Sequence, residues 1–392
     1  MKETLRKTLD RVRGWELGLM YLLVFGLVSF GVFNYSGGKY TVHLLLVLGS
    51  FLLVFTVLNQ SLRSRTHRLL STIKFSETLK RIGILSMIGL TLSTILAHFL
   101  YLKDLPLLLQ WQETDIIEAA LVRQGITEGI PGLLGYAMSF VVKAFLPFLL
   151  VYTLHTKRTR LFWIILVIGL FYLVNLLQKS YMVLFFLPMI IYLVTSRKWL
   201  YAGISMITMV GLIFFLVYAS NPALRGHAQK ERDMSGVAQS SRGLLDRTLY
   251  MPGRVVTVWF ESIPEEFPYQ KGCGYKFIAP IKGCAYSDYA KKMYVKIYPQ
   301  YAEQGLQGTA NGASFIYDYA NFGKGGLILG GALLAIVLFL AQVVFWDNRR
   351  MLLTLNLMPV LLLSSSSLTS LFVSGGWGMI LVLAHIYRKE LS

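Results

Sequence analysis

The chain has 392 residues, 55% hydrophobic and only 15% charged, and its mean hydropathy of +0.56 excludes an ordinary soluble domain. A net charge of +18 would suit a nucleic-acid binder, but the cations sit in short segments between apolar runs, which excludes that class. What remains is an all-α polytopic membrane protein whose charged residues gather mostly in loops and at helix ends.

In chain order, single spans are predicted over 15–33, 42–61, 82–101, 133–155, 199–218 and 327–346, each near the roughly 20 apolar residues that a bilayer core requires. Two longer stretches, 161–196 and 351–387, read as helical hairpins with polar apices at Gln178-Lys179-Ser180 and at 364–370. Their arms have about 17 residues, at the lower limit for spanning, so the count is ten within bounds of eight to eleven. More than half of the 38 basic residues cluster at 2–13, 63–81, 157–160, 197–198, 349–350 and 388–389. Ten spans put all six clusters and both termini on one side, the cytoplasmic side by the positive-inside pattern, whereas an odd number would split them. The first apolar run is followed by Phe33-Asn34-Tyr35-Ser36-Gly37, which lacks a small-x-small cleavage site, so a signal anchor is expected. The chain then divides into 1–218 (seven spans), 219–310 (one large loop outside the cytoplasm) and 311–392 (an interfacial helix and three spans).

Candidate chemistry follows the same order. Lys143 stands inside the fourth span, where an unpaired cation costs about 2.5–3.5 kcal/mol. It should therefore face a cavity or counter-charge, unless it snorkels to the outer surface. Pro147 should bend that helix. Lys179 crowns the first hairpin, as an outer-face cation or an ordinary turn residue. His43 and His98 lie at outer span ends, where an imidazole would stay hydrated. In the large loop, His227 is a candidate proton acceptor, although a lone loop histidine is more often incidental. The segment 242–254 carries Arg242, Arg247 and Arg254 among aliphatic residues. Guanidinium's planar fork suits phosphate and pyrophosphate; the structural alternative pairs these arginines with Asp246, Glu261 or lipid headgroups. Cys273 and Cys284, each beside glycine, would form a disulfide in an oxidising compartment, and a metal pair would need two further ligands. Glu303 is a second candidate base. Tyr250, Tyr275, Tyr286, Tyr294 and Tyr298 would pack on sugar faces or form the core of the lobe.

The end of the loop reads Gly308-Thr309-Ala310-Asn311-Gly312-Ala313-Ser314-Phe315-Ile316-Tyr317-Asp318-Tyr319-Ala320-Asn321-Phe322-Gly323-Lys324-Gly325-Gly326. A short interfacial helix over 312–322 is predicted, with Asp318 among headgroup-level aromatics and the glycines turning the chain into the next span. Asp318 is then either a working base or a group that hydrogen-bonds the turn. No phosphate-binding P-loop, nucleophile elbow, H-E-x-x-H or Asp-x-Asp pair occurs, and no internal repeat of the transporter kind is evident. No metal or other cofactor is expected.

The 308–326 segment resembles the bacterial oligosaccharide repeat-unit polymerases, the O-antigen polymerase family, in which a Thr/Asn stretch, an aromatic-acidic helix and an FG-x-G-G turn precede a late span. Arg123-Gln124-Gly125-Ile126-Thr127-Glu128-Gly129-Ile130-Pro131-Gly132 looks like the family's earlier outer loop, and Arg242 with Gly253 fits an R-x(10)-G spacing. The likeness spans the topology, and about forty positions at residue level. It implies a GT-C-like bundle in a Gram-negative inner membrane, with the large loop periplasmic. The implied reaction transfers a growing glycan from undecaprenyl pyrophosphate to a hydroxyl of another lipid-linked repeat unit, alongside a flippase and a chain-length regulator. Arg123, Arg242, Arg247, Arg254, Lys143 and Lys179 would bind the pyrophosphate, and Asp318, Glu303 or His227 would take the acceptor proton. Competing expectations are an O-antigen ligase, which would show a prominent loop histidine, and a glycan transporter, which would show a polar path through the membrane.

Overall fold

The computed structural model describes residues 14–126, 130–225 and 250–391. It is 78% helix, with no strand among the described residues. Among the described residues seven helices are long and apolar enough to cross a membrane: Glu16–Ser36, Thr41–Ser61, Glu77–Gln112, Gly132–His155, Trp199–Ala219, Ser314–Val344 and Leu368–Ile386. The protein is a multi-pass membrane protein. Leu200, Ile204, Ile207 and Phe214 on Trp199–Ala219 are exposed, as befits a helix whose outer face meets lipid, where no hydrophobic penalty attaches to exposure.

The two predicted hairpins differ. The first forms two helices of 17 residues each, Thr159–Asn175 and Lys179–Thr195, joined through Leu177 in the left-handed region at φ 55°. The second is interrupted. Arg349–Leu362 has only 14 residues and contains Pro359, and is followed by Leu368–Phe372 and Trp377–Ile386. The cause is local: Ser364 Oγ donates to the Leu361 carbonyl at 2.8 Å, and Ser367 Oγ accepts from the Ser370 amide at 3.1 Å. Hydroxyls that bond the neighbouring backbone compete with the helical ladder.

The chain forms two compact units. In the first, which includes residues 14–70, 250–346 and 359–371, glycines set the helix spacing. A Cβ on Gly331 would strike Ser50 and the backbone of Val47, and one on Gly253 would overlap the backbone of Gly31. These close approaches let Ser314–Val344 lie along Thr41–Ser61, and Met251–Ser262 along Glu16–Ser36. Glu16 is buried but accepts from Gln342 Nε2 and the Gly14 amide, both at 2.7 Å.

The second unit includes 71–126, 130–225, 347–358 and 372–391. Its centre is Gly132–His155, interrupted by a π-helical turn over Val141–Phe145. Pro147 has no amide to offer the carbonyl of Lys143, and the Leu146 amide bonds the Val141 carbonyl five residues back. Near its terminal helix, Lys80 Nζ contacts Glu77 at 2.7 Å and Glu390 at 3.5 Å, Tyr152 donates to Glu390, and Tyr387 donates to the Lys80 carbonyl at 2.7 Å.

Candidate functional site

Asp318 lies on a helical arm, 314–321, whose Phe315, Ile316, Tyr319 and Ala320 are buried. The arm starts where the Ser314 amide donates to the Leu363 carbonyl at 2.8 Å. It ends at Phe322 (φ −134°, ψ 15°) and Gly323 (φ 60°, ψ −142°), a pair that breaks Ser314–Val344 into two arms. Glycine is required at the second of these positions, because that backbone region excludes side chains. In a straight helix Asp318 and Gly326 would stand about 12 Å apart. Here the arms fold into backbone contact: a Cβ on Gly326 would collide with the Asp318 carbonyl, and one on Gly330 with the Asp318 carboxylate. Gly326-x-x-x-Gly330 therefore forms a bare face on which the acid rests.

Asp318 is only 6% exposed. Its Oδ1 accepts a hydrogen bond from the Tyr275 hydroxyl, and no ion pair reaches it among the described residues. Tyr21, from Glu16–Ser36, lies close enough to feel its charge, and the Tyr21 hydroxyl is itself buried without a partner. Burial, and then the Asp318 carboxyl beside it, push the Tyr275 phenol far above its ordinary value, so it stays protonated and donating.

Tyr275 is delivered by a small lobe. Cys273 and Cys284 are disulfide-bonded, with Cα atoms 6.0 Å apart. Asn321, one turn beyond Asp318, accepts on Oδ1 from the amides of Gly272 and Gly274 at 3.0 and 3.1 Å. The amides of Gln270 and Lys271 donate to the carbonyls of Ala320 and Asn321, both at 2.9 Å. Elsewhere the lobe is held by Tyr319 Oη donating to the Ile263 carbonyl and Trp259 Nε1 to the Ala310 carbonyl, at 3.1 and 3.2 Å.

Glu303 is exposed at the end of Pro299–Glu303, and Arg254 is exposed on Met251–Ser262; neither bonds Asp318. Arg254 makes no ion pair with Glu261 or any other described carboxylate. His227, Arg242 and Arg247 lie outside the described residues. Arg123, Lys143 and Lys179 belong to the second unit. Arg123 is half-buried on Ile116–Gly125, where burial lowers its affinity for the proton and its Nε donates to the Ala119 carbonyl at 3.2 Å. Lys143, half-buried on the π turn, has no ion-pair partner among the described residues, and Lys179 is half-buried at the start of Lys179–Thr195. Of the tyrosines expected on sugar faces, Tyr275 is buried against Asp318, Tyr250 packs by Phe30, Tyr294 and Tyr298 pack together with rings 5.4 Å apart, and Tyr286 is exposed.

One expectation is overturned. His98 is not hydrated but fully buried, with Nδ1 3.2 Å from the Tyr172 hydroxyl and Nε2 3.4 Å from the Ile126 carbonyl. The segment after Glu77–Leu102 folds back over the ring and supplies its partner.

No family model, curated protein or solved structure matches the chain. The chemistry must be read from the site itself. A carboxyl shielded from water and held by one neutral donor, with no neutralising cation, is a competent proton acceptor. The sequence singled out the acid but missed its surroundings. Tyr21 sits in an apolar span with no local signal, whereas the Gly326-x-x-x-Gly330 spacing was readable as a close-approach face.

Proposed function

We propose that the protein is a glycosyltransferase that joins oligosaccharide repeat units carried on undecaprenyl pyrophosphate, at the periplasmic face of a bacterial inner membrane. The observation that carries this reading is Asp318, a buried carboxyl within the segment that resembles the O-antigen polymerases, held by a phenol and unpaired with any described cation. In the proposed step an acceptor hydroxyl on one lipid-linked unit attacks the anomeric carbon of another. The carbon–oxygen bond to pyrophosphate breaks, the lipid pyrophosphate leaves as an anion, and Asp318 takes the acceptor proton. Glu303 and His227 are the rival bases.

The leaving pyrophosphate calls for fixed cations. Arg123, Lys143 and Arg254 have no carboxylate partner among the described residues, whereas Lys80, Lys296 and Arg388 are paired with Glu77, Glu266 and Asp347. Cations left unneutralised suit an anionic ligand, and Arg242, Arg247 and Lys179 complete the proposed set. The proposed topology has ten spans, both termini cytoplasmic, the large loop periplasmic and a GT-C-like bundle. A flippase and a chain-length regulator are the proposed partners.

Deletion followed by lipopolysaccharide gel analysis tests this reading. Loss of a repeat-unit polymerase leaves core bearing one repeat unit, while bare core would indicate a ligase. A full ladder in the deletion strain would exclude both.

A further inference from the structure

The phenol on Asp318 has a role that its sequence context does not suggest. We infer that Tyr275 is a positioning residue for the Asp318 carboxyl, held on it by the Cys273–Cys284 loop. This inference rests on the reading of Asp318 as the proton acceptor.

Five hydrogen bonds converge on the same helical arm. The Tyr275 hydroxyl reaches Oδ1 of Asp318. The two amides flanking Cys273, those of Gly272 and Gly274, both donate to the Asn321 side chain. The backbone of 270–271 donates to the carbonyls of Ala320 and Asn321. The loop is thus tied to the arm one turn from the acid, and Tyr275 stands two residues from the crosslinked Cys273. Within the loop the Tyr275 carbonyl accepts from the Ala279 amide at 2.9 Å, and the Cys284 amide donates to the Ala279 carbonyl at 3.0 Å. The Cys284 end of the crosslink is thus linked through Ala279 to the residue that carries the phenol.

Where Gly326 and Gly330 form the wall against the acid, they offer no side chain to steer it. Tyr21 lies within electrostatic reach of the carboxyl, and its buried hydroxyl makes no hydrogen bond. Orientation of Asp318 accordingly falls to Tyr275. With one oxygen bonded to the phenol, the other is left to receive a proton. Tyr275 acts through Asp318 and is not itself a sugar platform.

The test uses full-length protein in proteoliposomes. Lipid-linked repeat units extracted from a strain lacking this chain serve as substrate. Y275F should lower kcat about tenfold, the order expected for one hydrogen bond to a charged group, with KM changed less than about twofold. The control Y301F alters an exposed ring and should leave both constants unchanged. A second readout does not depend on activity: modification of Asp318 by dicyclohexylcarbodiimide, followed by mass spectrometry. Loss of the phenol should raise labelling at neutral pH severalfold. Dithiothreitol applied to the folded wild-type protein should raise it too, which decides the matter if Y275F fails to insert. Unchanged labelling after reduction, or in Y275F, overturns the positioning role. Full activity in D318N with labelling changed as expected would sink the proton-acceptor reading and leave the positioning contact standing.

Discussion

In two regions a tyrosine hydroxyl donates to a carboxylate, and the protein treats the two acids differently. Near the terminal helix, Glu390 receives a tyrosine hydroxyl and stands 3.5 Å from the ammonium of Lys80, which is also bonded to Glu77. Charge is cancelled there, and the network fastens the last helix to the bundle. On the kinked arm, Asp318 receives a tyrosine hydroxyl as well, but rests against glycines, and no cation pairs with it among the described residues. A compensated acid is a fastener. An uncompensated one is held in a costly state, and such cost concentrates at functional sites.

The contrast can be broken by substitution. The largest effect is expected for Asp318→Asn, which keeps the shape and the acceptor oxygen but removes the base. Polymer length in a lipopolysaccharide ladder should collapse, reflecting a loss of about 10²- to 10⁴-fold in rate, while protein level stays normal. Lys80→Met should do the reverse: the amount of folded protein falls severalfold by immunoblot, because Glu390 loses its cation, yet activity per molecule persists. A similar loss of activity from both variants would mean that the two acids play one structural role.

Gly330→Val sharpens the comparison from the other side of the acid. Its side chain would occupy the space of the Asp318 carboxylate, so activity should drop well below that of Gly325→Ala, whose added methyl meets open space; equal ladders in the two would show that the bare face is not needed. The smallest effect is expected for Glu303→Gln. This carboxyl is exposed and unbonded to the Asp318 cluster, and the ladder should be unchanged. A lost ladder would transfer the role of base to Glu303.

Much of this arrangement was legible in the chain. The apolar runs located the helices, and the Asn321-Phe322-Gly323 text anticipated a helix end at the position where the arm breaks. The polar serines at 364–370 marked an interruption, but read as a hairpin apex they concealed that Arg349–Leu362 stops at 14 residues. Pro147 announced a distortion, and the π turn carrying Lys143 is its form. Contacts between distant segments were not legible. The hydrogen bond from Tyr275 to Asp318 spans 43 positions, and Tyr21 comes from Glu16–Ser36. His98 misled for the same reason, since its polar partners, Tyr172 and Ile126, come from other segments. Periodicity reports which face is buried, not which polar group waits there.

The central claim is that Asp318 accepts the proton in glycosyl transfer, and a reconstituted assay addresses it most directly. Purified wild-type, D318N and E303Q proteins in proteoliposomes would receive lipid-linked repeat units, and polymer and released lipid pyrophosphate would be measured together. The account predicts that wild type and E303Q yield both products in step, while D318N binds the donor and yields neither. Wild-type yields from D318N would contradict it.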